Sequence, residues 1–229
     1  MFFSVDRLPA LDVYTEERAL KPSLVSVIGN GNVLSPRKGS MMSEREVLTL
    51  WQGEALNEGD ARILRTVCRE VPFPLDAADK KNVADLLEAF LSRDDALGLA
   101  APQIGICKRL LVFRHRGLEE RGAGIKSEDD YTLIINPRIT QARGELVYME
   151  EGCLSCPEIQ VEVGRFPEIK IRGLDANGQK INRRYLDFPA RIFQHEVDHL
   201  EGKLIVDHQG SISYPSKRST FFEKVFKNY

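Results

Sequence analysis

Two histidines and a glutamate stand in the order His195-Glu196-Val-Asp-His199, a spacing that suits metal-assisted hydrolysis. On a helix, positions four apart lie on one face, roughly 6 Å apart along the axis, so both imidazoles can reach one cation. Glu196 can then act as a general base on a metal-bound water without becoming a ligand. Because burying two imidazoles and a carboxylate for packing alone is costly, the pattern favours a metal site.

A metal centre needs a further ligand, and the strongest candidate is Cys153 in the segment EEGCLSC. One thiolate and two imidazoles leave a fourth position open for water. Cys156 offers an alternative, because it would complete a closed structural zinc site with the same three residues. The long separation between Cys156 and His195 and the presence of Glu196 favour the open, catalytic arrangement.

A helix over residues 188–202 must present the two histidines. We expect Asp187 to cap it and Gly202 to end it. Arg165 and Asp198 either form a charge pair that supports this helix, or Asp198 faces solvent; the sequence leaves both possibilities open. The apolar side chains that would bury the helix on two sides are Ala190, Ile192, Phe193, Val197 and Leu200.

The remaining elements follow from the spacing of apolar residues. Helices are predicted over residues 60–70 and 76–93 and within residues 215–229. Strand-like runs cover residues 109–114, 131–136, 145–149, 160–163, 168–174 and 180–186, the last two joined by a hairpin with Asn177-Gly178 at its tip. Helices and strands do not alternate regularly. The sequence therefore predicts an α+β fold in which antiparallel or mixed β-sheets pack around the central HExxH helix.

The stretch ALGLAAPQIG, residues 96–105, consists mostly of small side chains. We expect it to be too small and Gly-rich to pack as an element, and to let another chain approach its backbone closely. It also carries a lone amide side chain, Gln103, for which a structural zinc site has no use.

Composition and charge narrow the class of protein. The net charge of −2 gives no electrostatic case for binding nucleic acid or an anionic membrane. No apolar run approaches the ~20 residues of a membrane span, and the first residues lack the pattern of a secretory signal. Four cysteines without such a signal favour reduced thiols or metal ligands over a disulfide framework. We expect an intracellular protein that is not secreted.

Two regions differ in character along the chain. Residues 1–55 include a polar, turn-rich stretch and are expected to form a loop-rich N-terminal extension. Residues 56–229 are expected to form the catalytic domain.

Three segments, considered together, resemble the peptide deformylase family. The family patterns G-x-G-x-A-A-x-Q, E-G-C-L-S and Q-H-E-x-D-H are matched in order and spacing by ALGLAAPQ (residues 96–103), EGCLS (residues 151–155) and QHEVDH (residues 194–199). The resemblance spans about residues 57–207, and the triple match is far more specific than HExxH alone.

The resemblance implies a metal-dependent hydrolase that removes the N-formyl group from the formyl-methionine of nascent polypeptides and releases formate. By this resemblance the metal ligands are Cys153, His195 and His199. Glu196 would take a proton from the metal-bound water that attacks the formyl carbonyl, and would later pass it to the leaving amine.

The same resemblance implies the groups that contact substrate. The side-chain amide of Gln103 and the backbone N–H of Leu154 would stabilise the developing oxyanion. The residues expected to lie against the peptide and its methionine side chain are Gly98, Leu97, Gly152 and Ile192.

Cofactor, partners and compartment follow as expectations. The resemblance implies Fe²⁺ as the native divalent metal, which Zn²⁺, Ni²⁺ or Co²⁺ could replace. The expected partners are N-formylmethionyl peptides and nascent chains near the ribosome, with no direct nucleic acid binding and no membrane. The expected compartment is the bacterial cytoplasm, or a mitochondrion or another organelle with bacterial-type translation.

The chain departs from the family pattern at Ala96, which replaces the first glycine of the Gly-rich segment. If that backbone needs a positive φ or close passage of substrate, Ala96 would narrow the site. Two alternatives therefore remain at this stage. One is a deformylase-like protein whose activity Ala96 has altered, and the other is the non-catalytic zinc module that uses Cys156.

Overall fold

The computed structural model describes residues 46–118, 125 and 127–227 of the 229-residue chain. The α+β prediction is confirmed. In chain order the described elements are β1 Trp51–Gln52, β2 Ala55–Leu56, α1 Glu58–Leu64, α2 Ala77–Leu91, β3 Gly98–Ala100, β4 Leu110–Arg114, β5 Tyr131–Arg143, β6 Val147–Cys153, β7 Cys156–Arg165, β8 Glu168–Leu174, β9 Lys180–Leu186, α3 Asp187–Leu200, β10 Ile212–Ser213 and α4 Ser219–Phe226.

The helix α3 lies between two antiparallel sheets. The larger sheet has the strand order β3-β4-β5-β8-β9 and the smaller has the order β10-β7-β6, while β1 and β2 form a separate hairpin. On one side of α3, Ile192 and Phe193 share a buried cluster with Phe113 of the larger sheet. On the other side, His199 meets Cys153 at the end of β6. Because β3 and β6 are edge strands of their sheets, their backbones next to α3 keep groups that no other described strand pairs with.

The start of α3 differs from the prediction that Asp187 is its N-cap. Strand β9 ends at Leu186 and the helix begins at the next residue, so no loop residue is left to cap it. Asp187 itself turns the corner with a φ of 50°, a region that aspartate tolerates better than most residues, and its N–H donates to the Pro167 carbonyl at 2.7 Å. The predicted end is confirmed, since Gly202 follows the helix with a φ of 70°.

Residues 96–105 form packed structure, contrary to the prediction that they are too small to do so. β3 pairs with β4, and Ala101–Ile104 make a single 3₁₀ turn that ends at Gly105. The small side chains are buried because α2 covers one side of this segment and α3 the other. Those buried in the α2-side cluster are Ala96, Leu99, Ala101 and Ile104.

Strand β5 runs well past the predicted end at residue 136. Proline removes a backbone donor and normally stops strand pairing, yet β5 continues through Pro137 to Arg143. The pairing with β8 shifts register between Ile135 and Arg138, so the proline lies at an irregularity of the ladder. Asn136 takes a φ of 52° there, and its side chain binds the backbone of Val71 in both directions. This tertiary contact stabilises the irregular part of the β5–β8 pairing.

The predicted helices are present with shorter bounds. α1 ends at Leu64 rather than near residue 70, α2 covers most of residues 76–93, and α4 occupies the middle of the predicted C-terminal segment. None of the described helices has the length and apolar character needed to cross a bilayer.

The segment just before the predicted domain boundary contacts the loops of the Gly-rich and EGCLS motifs. The N–H of Leu48 donates to the carbonyl of Gln103 at 2.8 Å, and the N–H of Leu50 donates to that of Ser155 at 2.9 Å. Trp51 is buried against the rings of α4, with its ring centre 5.3 Å from that of Phe222. The boundary between residues 55 and 56 stays a prediction, and residues 1–45 lie outside the described residues.

A half-buried histidine, His115, directly follows β4 and gives a prediction about pH. Burial, followed by the nearby guanidinium groups of Arg183 and Arg116, lowers the pKa of His115 to about 4. The ring nitrogen Nε2 lies 2.8 Å from Thr132 Oγ1. Above pH 6.5 the ring is neutral in both the folded and the unfolded chain. As the pH falls from about 6.5 to about 4, only the unfolded chain takes up the proton, so stability falls over this window.

We expect His115→Gln to reduce this loss, because glutamine can still bond Thr132 but cannot be protonated. Between pH 7 and pH 5 the free energy of unfolding should fall by about 1–2 kcal/mol less in the variant than in the unmodified protein. Urea denaturation at the two pH values measures the difference. Equal losses in the two proteins would show that this histidine does not contribute.

Candidate active site

Three side chains suited to binding a metal converge between α3 and the end of β6. Cys153, His195 and His199 are all buried. Their ligand-type atoms, which are the Cys153 sulfur and one ring nitrogen of each histidine, lie within 4.8 Å of one another. Cys153 Sγ is 3.3 Å from His199 Nε2, and the two imidazole ring centres are 5.0 Å apart. The structure therefore brings together the three atoms that the sequence motifs indicated from distant parts of the chain.

Glu151, the first residue of the EGCLS motif, contacts one of these histidines, a role that was not predicted from the sequence. Glu151 Oε2 lies 3.0 Å from His195 Nδ1, which leaves Nε2 of the same ring facing the other ligand-type atoms. A carboxylate on the far nitrogen fixes the tautomer and the orientation of a ligand histidine. His195 Nε2 is itself buried and has no hydrogen-bond partner among the described residues. In the neutral ring this nitrogen offers a lone pair that a cation can bind.

Two arginines hold Glu151 in turn. Arg165 makes a bidentate contact with it, at 3.0 and 2.9 Å, and Arg191 donates to Oε1 at 2.7 Å. Burial alone would raise the pKa of the Glu151 carboxyl, but Arg165 and the hydrogen bond from His195 hold it well below its usual range. Arg191, a charged residue in an otherwise apolar segment one turn before His195, is the sequence signal that could have pointed to this network, although it was not used.

The network continues to the surface of the protein. Arg165 also pairs with Asp198, which confirms the first of the two possibilities left open by the sequence. Asp198 Oδ2 is 3.0 Å from His208 Nε2. Bidentate arginine–carboxylate geometry is rigid, so this chain of contacts ties α3 to the β6–β7 hairpin.

Glu196 lies beside the three converging side chains, where burial disfavours its charged form. Its side chain is fully buried, and neither carboxylate oxygen has a hydrogen-bond partner among the described residues. Burial raises its pKa above the usual range for glutamate. Gly98 on β3 faces it so closely that an added Cβ would lie 2.4 Å from Oε1. Buried carboxylates without partners are costly, and such groups are often found in active sites.

The amide of Gln103 is fixed by contacts at both ends. Its Oε1 accepts from the Ala100 N–H at 2.9 Å, and its Nε2 donates to Ser155 Oγ at 3.2 Å. Nε2 also lies 4.0 Å from Cys153 Sγ, so the donor end of the amide points toward the ligand-type atoms. Leu154 occupies the turn between β6 and β7 directly after Cys153. The role of Ser155 was not predicted from the sequence, although this residue lies within the matched motif.

Cys156 is placed beside Cys153 rather than within the converging group. The two cysteines face each other as partners in the β6–β7 hairpin, and the group of ligand-type atoms includes only the first of them. Burial alone would raise the pKa of the Cys153 thiol. The hydrogen bond from Cys156 and the charge of His199 instead hold it well below its usual range, which favours the thiolate. Cys156 therefore neighbours the Cys153 sulfur but lies outside the group of three converging atoms.

The residues expected to contact substrate occupy different environments. Gly98 and Gly152 are buried in the edge strands β3 and β6, respectively. Leu97 is half-buried against the cluster under α3, whereas Ile192 is fully buried inside that cluster. Ala96 does not have a positive φ and packs in the core on the α2 side. The missing glycine therefore does not strain this backbone.

The donor set fits a single divalent cation. A thiolate with two imidazoles suits borderline metals such as zinc, iron, cobalt and nickel. The unpartnered His195 Nε2, the carboxylate behind its other nitrogen and the favoured Cys153 thiolate all agree with that use.

Comparisons with known proteins point to one family. A family model described as polypeptide deformylase matches residues 54–214. Peptide deformylase 1 of Rickettsia conorii is 40% identical over 149 residues, which cover 65% of this chain and 81% of that protein. Peptide deformylase 1B of Arabidopsis thaliana, described as chloroplastic/mitochondrial, is 39% identical over 127 residues, covering 56% of this chain and 44% of that protein.

The fold agrees with the same family. The Met-Ala-Ser-bound crystal structure of a class I type b peptide deformylase from Acinetobacter baumannii superposes with a TM-score of 0.57 at 29% identity. The match covers 71% of this chain and 99% of that one. With the family model matching well over half of the chain, this protein belongs to the peptide deformylase family and is a hydrolase that removes the N-formyl group from nascent peptides.

Proposed function

We propose that Cys153, His195 and His199 hold one divalent cation, and that Glu196 carries the proton during hydrolysis of the formyl amide. The observation that supports this most directly is the convergence of the three ligand-type atoms, one of them a buried nitrogen without a partner among the described residues. The unpartnered carboxylate of Glu196 adds the base. A cation bound there supplies Lewis-acid chemistry, which polarises a carbonyl and makes water a better nucleophile at neutral pH.

In this proposal Glu196 accepts a proton from the attacking water and delivers it to the amine nitrogen as the C–N bond breaks. The products are formate and a free N-terminal amine. An amide nitrogen leaves poorly without a proton, so one group that first removes and then returns the proton serves both halves of the reaction. Burial of Glu196 keeps bulk water from taking its place.

The oxyanion that forms at the formyl carbonyl would be stabilised by the Gln103 amide and the Leu154 N–H. Gln103 is suited to this because Ala100 and Ser155 fix its amide in one orientation. Preorganised donors need not be reoriented as charge develops, and this is where much of their catalytic benefit arises.

The substrate is proposed to bind as an added strand between the edge strands β3 and β6. Gly98 and Gly152 would let its backbone pass closely, while Leu97 and Ile192 would contribute to the apolar wall of the methionine pocket. The Acinetobacter deformylase was crystallised with bound Met-Ala-Ser, the kind of peptide that remains after deformylation. This agrees with N-formylmethionyl peptides and nascent chains near the ribosome as substrates.

We propose Fe²⁺ as the native metal, with Zn²⁺, Ni²⁺ or Co²⁺ able to substitute. Fe²⁺ binds more weakly than these ions in the general affinity series. The metal found in the purified protein would therefore depend on how the protein was prepared. Protein loaded anaerobically with Fe²⁺ should release formate faster than the Zn²⁺ form and should lose that advantage in air, because thiolate–iron sites oxidise. Equal rates for the two forms would remove the case for iron.

The compartment is proposed from the substrate, since initiator formyl groups belong to bacterial-type translation. The bacterial cytoplasm fits the Rickettsia relative, and a mitochondrion or plastid fits the Arabidopsis relative. We further propose that residues 1–55 are an N-terminal extension and residues 56–229 the catalytic domain.

A pair of cysteine variants tests the metal assignment together with activity. Cys153→Ala should abolish stoichiometric metal binding and formate release from formyl-Met-Ala-Ser, because it removes a ligand. Cys156→Ser should keep the metal and most of the activity, because a hydroxyl can still donate toward the Cys153 sulfur. Elemental analysis and formate assays measure both. Loss of metal in the Cys156 variant would instead support the closed structural site.

A further inference from the structure

One face of the larger sheet carries six exposed cationic side chains on three neighbouring strands. The pairing registers place all six on the same side of β5, β8 and β9, with two pairs of them directly opposite each other. Arg138 lies opposite Arg172, and Lys170 lies opposite Arg184. The full set, called here the basic sheet face, is Arg138, Arg143, Lys170, Arg172, Lys180 and Arg184.

The direction of these side chains follows from strand alternation. Ile169, Ile171 and Tyr185 alternate with them and are buried in the cluster under α3. The cations therefore point to the opposite face of the sheet. On that face α2 packs over β4 and the first part of β5, where Val112 and Leu133 are buried. No other described element packs over β8, β9 and the end of β5, where the cationic side chains are exposed.

The charges on this face are poorly compensated. Like charges directly opposite in an antiparallel pair are destabilising, and the face has two such pairs. Glu168 contacts Arg143 and Arg184, and Glu70 pairs with Arg138. Within the described part of the chain, no carboxylate forms an ion pair with the remaining cations, which are Lys170, Arg172 and Lys180. This excess of positive charge lies on a chain whose net charge is −2.

We propose that the basic sheet face binds the phosphate backbone of RNA. Of the three cations without a carboxylate partner, Lys170 and Arg172 stand about 7 Å apart along β8, and Lys180 on β9 lies diagonally across from Arg172. Charges spread in this way suit a polyanion better than a single small anion. The choice of RNA among polyanions rests on the proposed function, because a nascent chain is presented by an RNA-containing particle. The expectation of no direct nucleic acid binding came from the net charge, which does not report how charge is distributed.

The test compares two triple variants of the full-length protein. Lys170→Gln, Arg172→Gln and Lys180→Gln together remove the three unpaired cations of the face. The matched control, Lys80→Gln with Lys203→Gln and Lys217→Gln, removes three exposed lysines elsewhere. Fluorescence anisotropy with a labelled RNA hairpin gives the affinity at several salt concentrations. Anionic phospholipid vesicles serve as a second probe, and formate release from formyl-Met-Ala-Ser is measured on the same preparations.

We expect the face variant to bind the RNA hairpin at least ~10-fold more weakly than the unmodified protein. The slope of its affinity against salt should also fall, by about two to three for three lost phosphate contacts. The control variant should keep both values, and all three proteins should release formate equally.

Three results would overturn the proposal. The first is no RNA binding by the unmodified protein at low salt, which would leave the face as an ordinary solvated surface that protects a sheet edge. The second is an equal loss in the control variant. The third is equal or tighter binding to vesicles with the same dependence on the face. Absence of formate release in the unmodified protein, with RNA binding intact, would count against the proposed function alone.

Discussion

Glu196→Gln is expected to lower kcat for formate release by about 10²–10⁴-fold while the bound metal stays stoichiometric. Glutamine has nearly the shape of glutamate, but it can neither take a proton from water nor return one to the amine. Because the substitution leaves Cys153, His195 and His199 in place, elemental analysis should find the metal unchanged. The change in kcat, rather than in KM, should account for most of the effect, since the lost interaction belongs to the transition state.

Stability provides the control for this variant. Glu196 is fully buried and its oxygens have no partners among the described residues, so removing its charge should leave the urea midpoint equal or higher. An exposed glutamate on α4, Glu223, offers a matched Glu→Gln change that should alter neither stability nor kcat. Retention of more than about a tenth of the activity by Glu196→Gln would exclude a proton-carrying role of the size expected here.

The parts of the fold that were predicted correctly are those encoded locally. The i, i+4 spacing of His195 and His199 on an amphipathic segment predicted α3 and the face of the site. The Asn177-Gly178 turn between two strand-like runs predicted the β8–β9 hairpin, which the structure confirms. Both patterns depend on neighbours within a few residues, and such neighbours are visible in a single sequence.

The parts that were missed depend on contacts between distant segments. β5 passes through Pro137 because Asn136 bonds Val71, which lies 65 residues earlier in the chain. Small residues pack at β3 because α2 covers one side of it and α3 the other. The sequence of β3 alone does not show where these two helices lie.

The candidate site shows the same division. The motifs predicted the metal ligands and the general base, but they did not predict that Glu151 holds His195 in place. Glu151 contacts His195 44 residues away, and Arg165 and Arg191 reach it from two further elements. Neither Glu151 nor the glycine that follows it indicates in the local sequence that this carboxylate is buried. Only the fold shows that this charge has two cationic partners and a histidine.

Gly98→Ala is expected to lower kcat by about 10²-fold or more, although Gly98 contributes no reactive atom. An added Cβ would lie 2.4 Å from Oε1 of Glu196 and 2.8 Å from both its Cγ and Cδ, which is closer than real Cβ contacts allow. The carboxylate must therefore shift, and a displacement of about 1 Å at a reacting group can cost about 10²-fold in rate. Gly98 does not have a positive φ, so the glycine is needed here for space rather than for backbone freedom.

A double-mutant cycle separates this effect from general damage to β3. If Gly98→Ala acts by displacing the Glu196 carboxylate, it should add little further loss of kcat in the Glu196→Gln background. Gly59→Ala is the matched control, because its Cβ would meet only Asn57 Oδ1 at 3.6 Å and should leave kcat unchanged. Thermal unfolding of each variant reports any overpacking, which typically costs about 1–3 kcal/mol. Independent, multiplicative losses in the double variant would mean that the alanine acts elsewhere than on Glu196.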